Sequence, residues 1–205
     1  MPIAKKRSTI PEGSFEAVLV MVIDAGTHPY NNQKEKTVEK RHWVYLVWEI
    51  PACLTSEGKP ALKSRKYNLT ISKKAKLREH IEGMLGSALS QKQFEIKNLL
   101  GTTALIQVQR VEGYEGPSIT NVMKIPGDKQ IKPFHELVGF DIDDSEIPES
   151  VSPWIRDMIE QSEEWQGERK IDGENGEVES QDEPHEETMP DFEIIPEKKT
   201  ELEPF

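Results

Sequence analysis

Five short runs with strand-like patterns and one run with a helical pattern, in a fixed order, limit the folds open to this chain. The first run, Phe15 to Ile23, is rich in β-branched residues and indicates a buried strand. The second extends from Lys40 to Ile50 and is stopped by Pro51, and the third, Leu62 to Ile71, alternates apolar with polar and basic side chains. Residues 24–39 hold Gly26, Pro29, Asn31 and Asn32 among polar residues, so we expect a loop between the first two strands.

A helical period follows the third strand. Ser72 can cap a helix over residues 73–85, and Gly86 can end it. Its apolar side chains recur at i, i+4, i+7 and i+8, and they are Leu77, Ile81, Met84 and Leu85. A short second helical piece precedes two more predicted strands, at residues 102–111 and 117–125.

The order strand, strand, strand, helix, strand, strand is that of an OB-fold. We therefore predict a mainly β chain: a five-stranded OB-fold barrel with a helix between strands 3 and 4, followed by a disordered acidic tail. A small α+β sheet with one helix is the alternative architecture. The predicted divisions are a flexible basic N-terminal arm over 1–13, an OB-fold domain over 14–135, an extension with a short amphipathic helix over 136–165, and a disordered acidic tail over 166–205 that ends in an interaction tip.

Apolar residues are sparse between the last predicted strand and the tail. We expect four of them to pack back on the barrel, namely Phe134, Leu137, Val138 and Phe140. A helix is predicted from Pro153 to Trp165, with Trp154, Met158 and Trp165 as its apolar contacts.

Charge divides the chain into two unlike parts. Residues 1–135 carry 21 Lys and Arg against 13 Asp and Glu, a net charge of +8, whereas residues 136–205 carry 5 against 24, a net charge of −19. Such asymmetry indicates a polyanionic partner for the body, or a tail that imitates one. From Glu163 onward the chain has too few apolar residues to offset its ordering entropy, which predicts disorder.

The sequence contains no arrangement of residues that indicates a catalysed reaction. It lacks a phosphate-binding loop with Lys and Ser/Thr, a GxSxG motif and an HExxH motif. The single cysteine, Cys53, has no obvious base beside it, and His80 is predicted to lie on the surface. Three carboxylates at Asp141, Asp143 and Asp144 could hold a metal, although a solvated charge run is favoured. We therefore expect no enzyme activity, no cofactor and no metal site.

Neither a membrane span nor a secretion signal is evident in the sequence. No apolar run approaches the ~20 residues that a spanning helix needs. The basic start, Met1 to Arg7, is not followed by an apolar signal-peptide core. We expect a cytoplasmic protein without membrane contacts.

Cations and aromatic rings are concentrated on the second and third predicted strands and on the helix that follows. A single strand of DNA needs cations along its phosphates and flat rings under its bases. The predicted DNA-contacting residues are Arg41, Trp43, Tyr45, Lys63, Arg65, Lys66, Asn68, Lys73 and Lys74. In the alternative interpretation, the Pro126–Phe140 segment covers the face with Trp43 and Tyr45, and the lysines are a solvated surface.

The chain closes with an acidic segment and a terminal aromatic residue. The ring of Phe205 suits a hydrophobic pocket on a partner, while its carboxylate and the upstream acids suit a basic rim. The predicted partner-binding residues are Leu202, Glu203, Pro204 and Phe205.

Two parts of the sequence resemble known families. The end of the chain resembles the tail of bacterial single-stranded DNA-binding proteins, except that Glu203 stands where those tails have an apolar residue and Leu202 comes one place earlier. The body is similar to phage and prophage OB-fold single-stranded DNA-binding proteins. The resemblance is carried by WVYLVWEIP at 43–51, SRKYNLTISKKAKLREHIEGMLG at 64–86 and FEIKNLLGTTALIQV at 94–108.

The resemblance implies a role beside phage replication or recombination proteins in a bacterial host cell. We expect a protein that coats and protects single-stranded DNA with little sequence preference and recruits phage or host proteins through its acidic tip. It is expected to be non-enzymatic, and a homo-oligomer is possible. One alternative is a protein-interaction module, such as a recombination mediator or an inhibitor of a host nuclease, whose barrel binds protein. The other is a nuclease subunit that uses the three aspartates.

Overall fold

The computed structural model describes residues 10–32, 36–89, 94–112 and 116–167, apart from the side chain of residue 128. Most of the predicted N-terminal arm and nearly all of the predicted tail therefore lie outside the described residues. The same holds for the four residues of the predicted tip, Leu202, Glu203, Pro204 and Phe205.

The described chain is mainly β. Its strands are β1 (Gly13–Asn32), β2 (Thr37–Leu54), β3 (Pro60–Asn68), β4 (Thr103–Arg110), β5 (Pro117–Lys124) and β6 (Val138–Phe140). Its helices are α1 (Lys76–Leu85), which follows β3 and precedes β4, and α2 (Pro153–Glu160), with 3-10 turns at Ile96–Leu99 and Pro126–Asp128.

The first two strands are longer than predicted. They continue beyond the core as a polar ribbon, in register from Thr27 opposite His42 to Asn32 opposite Thr37. The loop predicted over residues 24–39 is therefore wrong for most of its length. Gly26, which was expected in that loop, lies at a β-bulge instead, with a φ of 72° at the register shift after Asp24.

The six strands form one sheet that does not close. The order is β3-β2-β1-β4-β5 with antiparallel neighbours, and β6 pairs in parallel with Met21–Ile23 of β1. In the described part of the chain no backbone pairing joins the end strands β3 and β5, so the closed five-stranded barrel is not confirmed. Lys63 Nζ nevertheless donates to the carbonyl oxygen of Pro117 at 2.5 Å, across the gap.

A second β-bulge distributes the apolar run of β1 between two cores. The register shifts between Leu19 and Met21, so Leu19 and Val22 face one side while Val20 and Met21 face the other. The inner core contains Trp48 of β2 and the buried face of α1. Each such large apolar side chain contributes roughly 1.5–3 kcal/mol by its burial.

Helix α1 packs closely against β5. A Cβ at Gly83 would lie 2.1 Å from the carbonyl oxygen of Val122, so only glycine permits this approach. The helix begins at Lys76 with Ala75 as its N-cap, whereas the prediction had it begin at residue 73 with Ser72 as its cap. The predicted end at Gly86 is confirmed by a left-handed φ of 68°.

The extension covers the outer face of β1 and β2 and builds the second core. Val138 and Phe140 pack there as predicted, whereas Phe134 and Leu137 are exposed. The predicted helix ends early, at Glu160, and buries Ile155 and Ile159 in place of Trp154 and Met158. Trp165 is buried, as predicted, in a helical turn over residues 163–167. No helix among the described residues has both the length and the apolar character needed to cross a membrane.

Candidate functional site

The pairing of β2 with β3 divides the predicted contact residues between two faces of the sheet. Trp43 lies opposite Asn68, and Tyr45 lies opposite Lys66, on the outer face. Because side chains alternate along a strand, Lys63 and Arg65 point to the inner face. The three cations of β3 therefore do not share one surface.

A compact group on the outer face combines two rings with two cations. Lys66 Nζ lies 4.4 Å from the ring centroid of Trp43, and Arg41 Cζ lies 3.5 Å from that of Tyr30. The two rings meet edge to face, with centroids 6.1 Å apart. We call Tyr30, Arg41, Trp43 and Lys66 the aromatic–cation cluster.

The environment of this cluster suits a ligand with flat rings and negative charge. Partial burial lowers the pKa of Lys66 below its usual value, although the residue as a whole is exposed and stays a cation at neutral pH. Arg41 also donates to Glu39 at 3.1 Å, which holds its guanidinium over Tyr30. Such cation–aromatic pairs offer stacking surface and charge in the same place.

Tyr45 is not part of an open platform. It is 4% exposed, and its ring packs edge-on against Trp154 with centroids 5.1 Å apart. Burial raises the pKa of its hydroxyl to about 12. A base cannot stack on Tyr45 in this conformation, because α2 covers its ring. The alternative interpretation expected a cover here but placed it in the Pro126–Phe140 segment.

Of the remaining predicted contacts, Asn68 lies beside the cluster, opposite Trp43, and the others lie apart from it. Asn68 is half-buried at the end of β3, and Lys63 and Arg65 are half-buried on the inner face, where Arg65 Cζ lies 5.3 Å from the Tyr67 ring centroid. Lys73 and Lys74 are exposed in the turn before α1 and form no ion pair with another described residue.

Acidic residues of the extension approach the base of the same ribbon. Glu164 accepts hydrogen bonds from the backbone N–H of Thr27 at 2.8 Å and from its hydroxyl at 2.6 Å, and Glu163 pairs with Lys40 at 2.6 Å. His42 Nε2 lies 2.5 Å from Asp24 Oδ1, and this hydrogen bond raises the pKa of His42. We call Glu163 and Glu164, with their partners Lys40 and Thr27, the carboxylate clasp, because these contacts fasten the end of the extension to β1 and β2.

The other candidates from the sequence have ordinary surroundings. Cys53 is half-buried, and burial raises the pKa of its thiol, which disfavours the reactive thiolate. Lys97 pairs with Asp141 and lies 3.7 Å from Asp144. Among the described residues no group of three His, Cys, Asp or Glu is placed to hold a metal ion.

Three exposed or half-exposed rings of the outer face were missed in the sequence. Tyr30 lay in a segment predicted to be a loop. Pairing of that segment with the start of the second strand would have placed Tyr30 beside Arg41. Phe134 and Trp154 were expected to pack inward, and they are 63% and 48% exposed. Trp154 directly follows Pro153, the first residue of α2, and a proline at that position is a signal for the first turn of a helix. No comparable signal marks Phe134.

No family model matches the sequence, and none of the curated proteins matches it significantly.

Proposed function

We propose that this chain binds single-stranded DNA on the outer face of β2 and β3, with the aromatic–cation cluster at the centre of the contact. The observation that carries the proposal is the seating of Lys66 and Arg41 directly on the rings of Trp43 and Tyr30. Bases stack on such rings regardless of their identity, and the cations neutralise the adjacent phosphates.

The strand order supports a place for the chain among OB-folds. β1 lies at the centre of the sheet, with β2 and β3 on one side and β4 and β5 on the other, and α1 lies between β3 and β4 in the chain. We infer an OB-type barrel left open between β3 and β5. OB barrels also bind oligosaccharides and proteins, so the cluster and not the fold carries the proposal.

The proposal extends to coating single strands during phage DNA replication or recombination, with recruitment of partners through Leu202, Glu203, Pro204 and Phe205. This part rests on the sequence resemblance alone.

Binding of a labelled oligo-dT, compared with a duplex of equal length at low and high salt, tests the proposal. We expect much tighter binding of the single strand, with an affinity that falls steeply as salt rises because counterions are released from phosphates. Equal affinity for both forms, or a flat response to salt, contradicts it. A protein that binds neither form favours the protein-interaction alternative.

Variants of the cluster locate the contact. Trp43→Ala removes a stacking surface and should weaken oligo-dT binding by about 1–3 kcal/mol, whereas Trp43→Phe should keep most of the affinity. Lys66→Ala should weaken binding and flatten the salt dependence, and Lys59→Ala is its matched control, an exposed lysine in the turn between β2 and β3. Equal behaviour of the two lysine variants would place the DNA elsewhere.

A further inference from the structure

Two large rings, Phe134 just before the extension and Trp154 within it, stand exposed on the side of the sheet that carries the aromatic–cation cluster. Phe134 is 63% exposed and Trp154 is 48% exposed, and the ring of Trp154 rests edge-on against Tyr45 of the second core. Every other aromatic side chain in the described part of the chain is buried or half-buried, so two exposed rings held on one face point to a ligand.

A buried carboxylate fixes the position of Phe134. Glu49 of β2 is 1% exposed, and both of its oxygens accept the backbone N–H of Phe134 at 3.0 Å. The backbone N–H of His135 donates to it at 2.8 Å, and His135 Nδ1 lies 2.7 Å away. A buried carboxylate is costly unless hydrogen bonds compensate it, so this arrangement fixes the backbone while the ring of Phe134 projects outward.

The register of β2 places the exposed rings in a row. Trp43 carries Lys66 over its ring, Tyr45 two residues later carries Trp154, and Glu49 four residues after that carries Phe134. Six residues of strand separate Trp43 from Glu49, a span of about 20 Å. The outer face of β3 lies alongside this row and offers Leu62, Ser64, Lys66 and Asn68.

We propose that Phe134 and Trp154 extend the binding surface for single-stranded DNA beyond the aromatic–cation cluster, and that Glu49 is the residue that positions Phe134. The inference rests on the proposed function and goes beyond it, since it assigns bases spaced along one strand to Trp43, Trp154 and Phe134 in this order. A single-stranded nucleic acid fits this row because its bases are spaced along an extended chain and its phosphates suit Lys66.

The length of the oligonucleotide separates the two ends of the row. A dinucleotide is too short to span the row and should be held at the Trp43 end, where the cations lie, whereas a strand of about 16 nucleotides, the upper site size of a single OB fold, reaches every ring. Phe134→Ala and Trp154→Ala should each weaken binding of the long oligo-dT about five-fold or more, and should change binding of the short one far less. Leu137→Ala, an exposed apolar residue of the same segment, is the matched control and should leave both affinities unchanged.

Glu49→Gln tests the positioning role. We expect the same length-dependent loss as in Phe134→Ala, and no further loss when both substitutions are combined, because residues that act through one contact are not additive. A general loss of fold would instead weaken both oligonucleotides equally and lower the melting temperature, and the two surface variants then decide the question alone.

The outcomes separate this inference from the proposed function. If the wild-type protein does not bind oligo-dT, both are wrong. If it binds and Trp43→Ala weakens it, while Phe134→Ala and Trp154→Ala match the Leu137→Ala control at both lengths, only the extended surface is overturned.

Discussion

His80 connects three elements through one buried ring. It is 1% exposed on α1, with Nδ1 2.7 Å from the hydroxyl of Tyr67 on β3 and Nε2 3.2 Å from the carbonyl oxygen of Thr120 on β5. Since a carbonyl can only accept, Nε2 carries the proton and Nδ1 accepts from Tyr67. The neutral ring thus bridges the two strands between which the sheet is open, and burial lowers its pKa to about 4.

This bridge predicts a specific dependence of stability on pH. The unfolded histidine has a pKa of 6.5 and takes up a proton before the folded one does. The contribution is therefore complete above about pH 6.5 and is lost as pH falls towards 4, by on the order of 3 kcal/mol. Denaturant unfolding of wild type and His80→Gln from pH 4.5 to 7.5 measures it, and their difference in unfolding free energy should shrink as pH falls. A constant difference would show that His80 does not titrate on unfolding.

The sequence contained the signal for this residue, and its prediction as a surface histidine was wrong. His80 lies three residues after Leu77 and four before Met84, which places it on the buried stripe of α1. For Tyr45 the alternating pattern correctly separated it from the inner face. The cover over it comes from Trp154, more than a hundred residues later, and no local pattern specifies such a contact.

Among the elements, the extension and the ribbon of β1 and β2 depend on one close approach. A Cβ at Gly26 would lie 2.5 Å from Ser162 Cβ, beside the carboxylate clasp. Gly26→Ala should therefore push residues 162–167 off the ribbon and expose Trp165. Gly58→Ala is the matched control, since its φ of 75° is equally unfavourable for alanine but no atom lies within 4 Å.

Tryptophan fluorescence and hydrogen exchange measure this displacement. In Gly26→Ala we expect a red-shifted emission, faster exchange of Thr27 and a loss of stability larger than in Gly58→Ala, which bears only the backbone strain of about 1–2 kcal/mol. Equal losses of stability in the two variants would mean that displacing residues 162–167 does not change the free energy of unfolding.

The presence of a strand was easier to predict than its first and last residues. β4 and β5 lie within one residue of their predicted bounds, because turn residues and alternation delimit them sharply. The ribbon of β1 and β2 was missed because its outer part is polar and is stabilised by cross-strand pairing. β6 has three residues, too few for a periodic signal, and exists because β1 has a free edge beyond β4. Of the predicted contact residues, Arg41, Trp43 and Lys66 lie in the cluster, which also includes Tyr30 from that ribbon.

At the scale of the whole molecule, charge is segregated along the chain. Residues 168–205 contain 14 acidic and 4 basic residues, a net charge of −10, and follow directly on the helical turn that carries Glu163 and Glu164. Those two residues already contact Lys40 and Thr27 at the base of the ribbon. The acidic segment therefore begins beside the ribbon, which carries part of the face proposed for DNA.

We expect residues 168–205 to compete with DNA for this face. Covalent linkage gives the segment an effective concentration on the order of mM, while DNA has the higher charge density and should displace it. Truncation after Gly167, which retains buried Trp165 and the carboxylate clasp, should tighten oligo-dT binding at low salt, with a gain that shrinks as screening increases. Deletion of Phe205 alone should leave DNA binding nearly unchanged and abolish partner recruitment. Titration of oligo-dT into the three proteins at two salt concentrations tests the competition, and an unchanged affinity after truncation excludes it. Partner capture tests the tip, and intact capture without Phe205 excludes a role for it.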